Sequence, residues 1–199
     1  MEQLAAEAEK LGDLSELILV AQDTTRYGSD LYGKNMLAAL IRRLSALENI
    51  EKIRLLYCYP DVIDDELIAE IAGNGKVIKY IDIPLQHSED RILKRMNRKG
   101  SRAEYLALID KLRREIPGIA IRSTFIAGFP GETEEEAEAL AGFLREAKLT
   151  NCGFFAYSRE PETPAYRLPD QIAQRVKQRR VRMLYSVQQK ISEEFLQGK

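Results

Sequence analysis

Apolar positions along this chain alternate between helical and extended spacing. Leu4, Ala8 and Leu11 recur at helical intervals, and Gly12 closes that pattern. Leu17-Ile18-Leu19-Val20-Ala21 is a short apolar run of the kind found in buried strands. Between Asn35 and Leu47, a stripe of Leu37, Leu40, Ile41, Leu44 and Leu47 predicts an amphipathic helix. Ile53 to Tyr59 is strand-like and stops at Pro60, and Asp64 is the N-cap of a short helix reaching Ala72. Val77 to Leu85 is the next strand. Ser88 and Ser101 are the expected caps of helices ending near Met96 and Glu115. Ile119 to Ala127 is a strand, Thr133 to Lys148 a helix, Gly153 to Tyr157 the last strand, and Ala173 to Leu196 a long closing helix.

Strands that alternate with helices long enough to be crossovers pair in parallel. An open doubly wound sheet and a βα barrel both satisfy this alternation. The faces favour the barrel. Asp82 and Gln86 share one face of their strand and Arg122 and Thr124 one face of theirs, against Ile81, Ile83, Leu85 and Ile121, Phe125. A strand covered by helices on both sides is apolar on both faces, whereas polar residues near strand ends suit a lumen that opens into a ligand site. The expectation is an α/β fold, a partial (βα) barrel with parallel strands near 16–21, 53–58, 78–84, 119–126 and 153–157, in sequential order.

Four strand-end loops carry the candidate chemistry. Ile126-Ala127-Gly128-Phe129-Pro130-Gly131-Glu132-Thr133 runs from strand to glycine turn to helix, with Thr133 and Glu136 placed as a capping box. It is either a well-made βα turn or a turn whose backbone lies against a flat ligand such as a nucleoside. It is not a P-loop: no Gly-Lys-Ser/Thr follows, and Glu134, Glu135 and Glu136 would repel a phosphate. Gln22-Asp23-Thr24-Thr25-Arg26-Tyr27-Gly28 follows the first strand, as a polar connection or as a site for a zwitterion. Pro84-Leu85-Gln86-His87 ends the third strand, and His87 is the only histidine, so no His-based metal centre arises from this chain alone. Arg122, inside a strand, needs a carboxylate partner, either Asp82 or a ligand. Phe154 to Ala165 closes the last strand with aromatic and polar groups.

Composition narrows the field. The 199 residues suffice for a single domain, with a barrel over about 1–168 and a closing helix over about 170–199. A formal net charge of −1 gives no global pull toward nucleic acid or acidic membrane. Any RNA contact would rest on Arg175, Lys177, Arg179, Arg180 and Arg182, which otherwise form a solvated helix face. No apolar run approaches the roughly 18 residues of a membrane span, and the acidic start lacks the features of a signal peptide, so a cytoplasmic location is the default. Cys58 and Cys152 lie far apart in strand-like runs, which is neither a disulfide framework nor a metal motif.

The four loops, in this order, resemble the methylthiotransferase family of radical S-adenosylmethionine (SAM) enzymes along essentially the whole chain. Gln22-Asp23-Thr24-Thr25-Arg26-Tyr27-Gly28 and Pro84-Leu85-Gln86-His87 are similar to the ribosomal-protein-modifying type rather than the transfer-RNA-modifying one. The resemblance implies a partial barrel holding a [4Fe–4S] cluster that cleaves SAM reductively. The resulting radical takes hydrogen from the β-carbon of an aspartate in small-subunit ribosomal protein twelve, which then gains a methylthio group. It also implies that Gln22 and Asp23 face the methionine end of SAM, that Gln86 and Arg122 line the lumen, and that Gly128, Phe129 and Pro130 contact adenine. The Cys-x-x-x-Cys-x-x-Cys loop of the family does not occur here, so this chain carries no ligands for the cluster. By the same resemblance the first barrel strand, an N-terminal cluster domain and a C-terminal TRAM domain lie outside the chain, and the isolated chain is expected to be inactive. The rival readings are a transfer-RNA methylthiotransferase, a non-catalytic remnant that binds a nucleoside or a ribosomal partner, and an ordinary iron-free βα-barrel enzyme.

Overall fold

The computed structural model describes residues 1–197, so the last two residues of the expected 170–199 closing segment lie outside the described residues. Five strands form one sheet in the order β1-β2-β3-β4-β5. They are β1 (Leu17–Leu19), β2 (Ile53–Leu55), β3 (Val77–Gln86), β4 (Ala120–Ala127) and β5 (Asn151–Ala156). The ladders β1–β2, β2–β3 and β4–β5 are parallel. A doubly wound sheet reverses its strand order near the centre, and this one does not. The sequential order is that of the expected (βα) barrel segment. The chain divides into two compact units, Met1–Ile83 with Asp110–Ala120, and Pro84–Ile109 with the chain from Ile121 onward.

In the first unit, α1 (Glu2–Glu9), α2 (Ser29–Tyr32), α3 (Leu37–Ser45) and α4 (Asp65–Gly73) surround β1, β2 and most of β3. The α3 stripe buries all five of its predicted residues, and Ile53, Leu55, Leu67, Ile68, Ile71 and Ile81 complete the core. Asp64 caps α4 as expected, accepting from the Leu67 N–H at 2.8 Å. Three expectations need correction. In α1 the buried face is Ala5 and Ala8, while Leu4 and Leu11 are 41% and 56% exposed. Secondly, β1 and β2 are shorter than their apolar runs. The Thr24 hydroxyl takes the Ala21 N–H at 3.1 Å and donates to the Leu56 C=O at 2.6 Å, replacing ladder partners, and Tyr57 turns the chain at φ 55°. Lastly, the four-residue helix α2 and the 3₁₀ turn Thr24–Arg26 were not foreseen.

In the second unit, α5 (Asp90–Arg95), the first part of α6 (Arg102–Glu115), α7 (Glu134–Ala147) and α8 (Gln174–Gln197) accompany the end of β3, β4 and β5. Burial alternates without interruption along β4, with Ile121, Ser123, Phe125 and Ala127 buried and Arg122 and Thr124 half-buried. An aromatic chain ties the layers. Phe125 meets Phe143 of α7 edge-on at 6.1 Å and stacks on Phe154 of β5 at 5.9 Å, and Phe154 meets Tyr185 of α8 at 5.0 Å. The capping box of Thr133 and Glu136 is formed. Ser101 accepts from the Glu104 N–H at 3.3 Å, as a cap should. Ser88 is not a cap. The helix begins two residues later, at Asp90, and the buried Ser88 hydroxyl turns to the Glu89 carboxylate at 3.3 Å. The last strand starts two residues earlier than expected, because the register continues to Arg122 opposite Asn151.

Among the described residues no helix is long and apolar enough to cross a membrane. Both cysteines are buried and free. Burial pushes the Cys58 thiol up to about 12, helped by the Asp82 and Asp23 carboxylates, and burial likewise raises Cys152. Neither forms a thiolate near neutral pH, so both should resist a disulfide reagent at pH 8 in the native protein and react fully in denaturant. Rapid release of chromophore from a native thiol would contradict their placement.

Candidate functional site

The loop after β4 is tightly constrained. Gly128 sits at φ 76° and Gly131 at φ 78°, both in the left-handed region that favours glycine. A Cβ on Gly128 would collide with the stem of Lys177, and one on Gly131 would lie 3.1 Å from the Arg95 guanidinium. Gly128, Phe129 and Pro130 are buried. The Phe129 ring meets Tyr157 edge-on at 5.2 Å, over Ile92, with Met96, Ile126, Ala165 and Leu168 packed around it.

One carboxylate organises the loop. Glu132 is 5% exposed. Its Oε2 accepts from the Gly128 N–H at 2.7 Å and the Phe129 N–H at 3.3 Å. Its Oε1 accepts from Arg180 Nη1 at 2.9 Å, and the same nitrogen reaches the Glu132 C=O at 3.1 Å. His87 Nε2 lies 3.6 Å from Oε2. A buried charge is stable only when paired and hydrogen-bonded, and this one takes donors from its own loop and from α8, while His87 Nε2 nearby has no hydrogen-bond partner. Arg180 Nη2 also donates to Glu134 at 3.0 Å, and together with Arg179 it holds that carboxyl below its usual range.

His87 is delivered by an unusual turn at the end of β3. Its N–H bonds back to the Leu85 C=O at 2.9 Å across Gln86, which sits at φ 71°. This is the strained γ-turn geometry, and non-glycine residues held in the left-handed region concentrate at functional sites. The His87 Nδ1 accepts from the Glu89 N–H at 3.0 Å, which leaves Nε2 to carry the proton and face Glu132. Arg122 lies on the half-buried face of β4, its Nη2 3.8 Å from where a Cβ on Gly153 would stand. Of the expected site residues, this unit holds Gln86, Arg122, Gly128, Phe129 and Pro130.

Gln22 and Asp23 belong to the first unit. The Gln22 side chain is exposed. Asp23 caps the 3₁₀ turn, taking the Thr25 N–H at 3.1 Å and the Thr25 hydroxyl on one oxygen and Arg26 Nε at 2.8 Å on the other. Its carboxylate shapes the loop. In the same unit, Asp82 is buried and accepts from the Tyr57 N–H at 3.3 Å.

Glu132, Lys177 and Arg180 escaped the sequence reading. Lys177 and Arg180 were assigned to a solvated or RNA-facing stretch, and this is corrected: both are buried, at 6% and 5% exposure. The signal was available. Lys177, Arg180, Leu184, Gln188 and Ile191 form one stripe at helical spacing, and all five are buried. Only Arg175, Arg179 and Arg182 of the basic stretch are exposed, and Arg179 is paired with Glu134 at 2.7 Å.

Among the described residues no group of three His, Cys, Asp or Glu side chains could hold a metal ion. Each unit holds one buried thiol, so the residues present do not fit an iron–sulfur cluster. In the β4–α7 loop the Gly128 and Phe129 N–H groups are satisfied from within, by the Glu132 carboxylate.

Residues 1–144 match the model of the Radical SAM superfamily, and the chain belongs to that superfamily. Among curated proteins it is 52% identical over 197 residues to the ribosomal protein uS12 methylthiotransferase RimO of Clostridium botulinum, covering 98% of this chain and 44% of that protein. It is 51% identical over 201 residues to RimO of Caldanaerobacter subterraneus subsp. tengcongensis, covering 100% and 46%. The chain therefore spans about half the length of the curated relatives it matches. Among solved structures, coproporphyrinogen III oxidase from Escherichia coli, a radical SAM enzyme, superposes with a TM-score of 0.74 at 16% identity, over 95% of this chain and 45% of that one. The radical SAM methyltransferase TsrM from Kitasatospora setae, solved with cobalamin and a [4Fe-4S] cluster, gives 0.59 at 20% identity, over 83% and 31%. These two likenesses show the fold.

Replacing Gly128 with Ala tests the loop. The left-handed conformation costs an L-residue about 1–2 kcal/mol, and displacement of the Lys177 stem adds to it. Urea unfolding should show a loss at least that large. An unchanged midpoint would mean that the turn is not held in this shape.

Proposed function

We propose that this chain is the larger part of the catalytic core of a methylthiotransferase acting on the β-carbon of an aspartate in ribosomal protein uS12. The observation that carries the reading is sequence identity of 48–52% to uS12 methylthiotransferases over 96–100% of the chain. In this reading the chain is one truncated core, a barrel over about 1–168 with its closing helix, and works in the cytoplasm on a ribosomal partner. The transfer-RNA-directed alternative is not favoured by these relatives.

SAM is the cofactor of the reading, and it supplies a 5′-deoxyadenosyl radical when cleaved by one electron. We assign Gly128, Phe129 and Pro130 to its adenine and Gln86 and Arg122 to the lumen beside them. Arg122 has the flat, two-pronged geometry that suits a carboxylate. In this reading the cluster is held by cysteines that this chain does not supply. An apolar groove of about 400 Å³ runs along β1, lined in part by Leu4, Leu11, Ile18 and Val20. With β1 at the edge of the sheet, this groove suits one further strand, the one that would carry the cysteine loop.

The test uses a full-length protein containing this chain, reconstituted anaerobically with iron and sulfide. It is supplied with SAM, a one-electron reductant, a sulfur donor and uS12. Tandem mass spectrometry should find a methylthio group on one aspartate of uS12. Modification of transfer RNA with uS12 untouched would overturn the reading in favour of the alternative.

A further inference from the structure

Buried cations on a helix of a soluble protein need a reason. A lysine and an arginine lose several kcal/mol of hydration on burial unless each finds partners of good geometry. Lys177 and Arg180 both contact the Gly128–Glu132 segment, Lys177 through its stem and Arg180 through its guanidinium. Lys177 Nζ donates to the Tyr157 C=O at 2.9 Å and stands 4.9 Å from the centre of the Tyr157 ring. Its stem fills the space that a side chain on Gly128 would take. Tyr157 in turn donates its N–H to the Ala127 C=O at 2.9 Å and packs on Phe129. Arg180 grips both the carbonyl and the carboxylate of Glu132, whose other oxygen holds the Gly128 and Phe129 N–H groups.

We propose that Lys177 and Arg180 are positioning residues for the nucleoside loop, so that the affinity of the loop for SAM is set by α8. The proposal rests on the assignment of Gly128–Pro130 to adenine. Neither side chain touches the ligand. Lys177 fixes Tyr157, and through it the Phe129 ring, by its ammonium on the Tyr157 C=O while its stem packs on Gly128, and Arg180 fixes the two N–H groups through the Glu132 carboxylate. The spacing of three residues places both on the same helix face, so a rotation or withdrawal of α8 releases both holds together.

The experiment is a calorimetric titration of the full-length, reconstituted protein with SAM. Arg180→Lys keeps the charge and loses the fork, Lys177→Met keeps the stem and loses the ammonium, and Arg182→Gln is the exposed control on the same helix. Each is titrated well below its melting temperature, and 5′-deoxyadenosine formation is followed at limiting and saturating SAM. The expected result is affinity weaker by about tenfold for each buried variant, the size of one lost charge-assisted hydrogen bond. The control should match wild type, and 5′-deoxyadenosine formation by the variants should recover at saturating SAM. If Arg180→Lys does not fold, Lys177→Met decides alone. Because the route from Arg180 runs through Glu132, adding Glu132→Gln to Arg180→Lys should cost less than the sum of the two single effects. Wild-type protein that does not bind SAM sinks the assignment of the loop. Wild type that binds, with buried variants that bind equally well and merely melt lower, overturns the positioning role.

Discussion

A buried carboxylate must be compensated from every side, and in the second unit that requirement falls on Glu132. Its two oxygens gather two backbone N–H groups of the β4–α7 loop and the guanidinium of Arg180 from α8, with His87 from the end of β3 close by. Remove that charge and two amides and an arginine lose a common hydrogen-bond partner at a buried position. The left-handed glycines, the γ-turn at Gln86 and the inward turn of Lys177 are consistent with this single constraint. The loop is thereby preformed, with the Gly128 and Phe129 donors consumed internally and the Phe129 ring packed against Tyr157.

Much of the fold was legible because it is local. The α3 stripe, the Asp64 cap and the Thr133–Glu136 box depend on residues three or four apart, and each formed as the spacing requires. Strand alternation in β4 was equally plain, and the polar positions Asp82, Gln86, Arg122 and Thr124 favoured the sequential order over a doubly wound one. Leu4 and Leu11 misled because they share helical spacing with Ala8 while the smaller Ala5 and Ala8 face the core.

The candidate site was legible in part. The glycine loop and the strand-end position of Gln86 could be read directly. The carboxylate that organises them could not, because its partnership with Arg180 spans 48 positions of sequence. A run of five cations in eight positions of α8 also looks like a charged surface when counted, although two of them continue the stripe of Leu184 and Ile191 into the interior. Charge counted along a sequence describes a surface only after the helix face has been assigned.

The central claim is that the Glu132 carboxylate holds the β4–α7 loop in its observed shape. Amide hydrogen exchange at Gly128 and Phe129, compared between wild type and Glu132→Gln under conditions where both are folded, tests it most directly. The account predicts strong protection of both amides in wild type and its selective loss in the variant, with the Phe125 and Phe154 amides of the neighbouring ladder unchanged. Equal protection of Gly128 and Phe129 in the two proteins would contradict it.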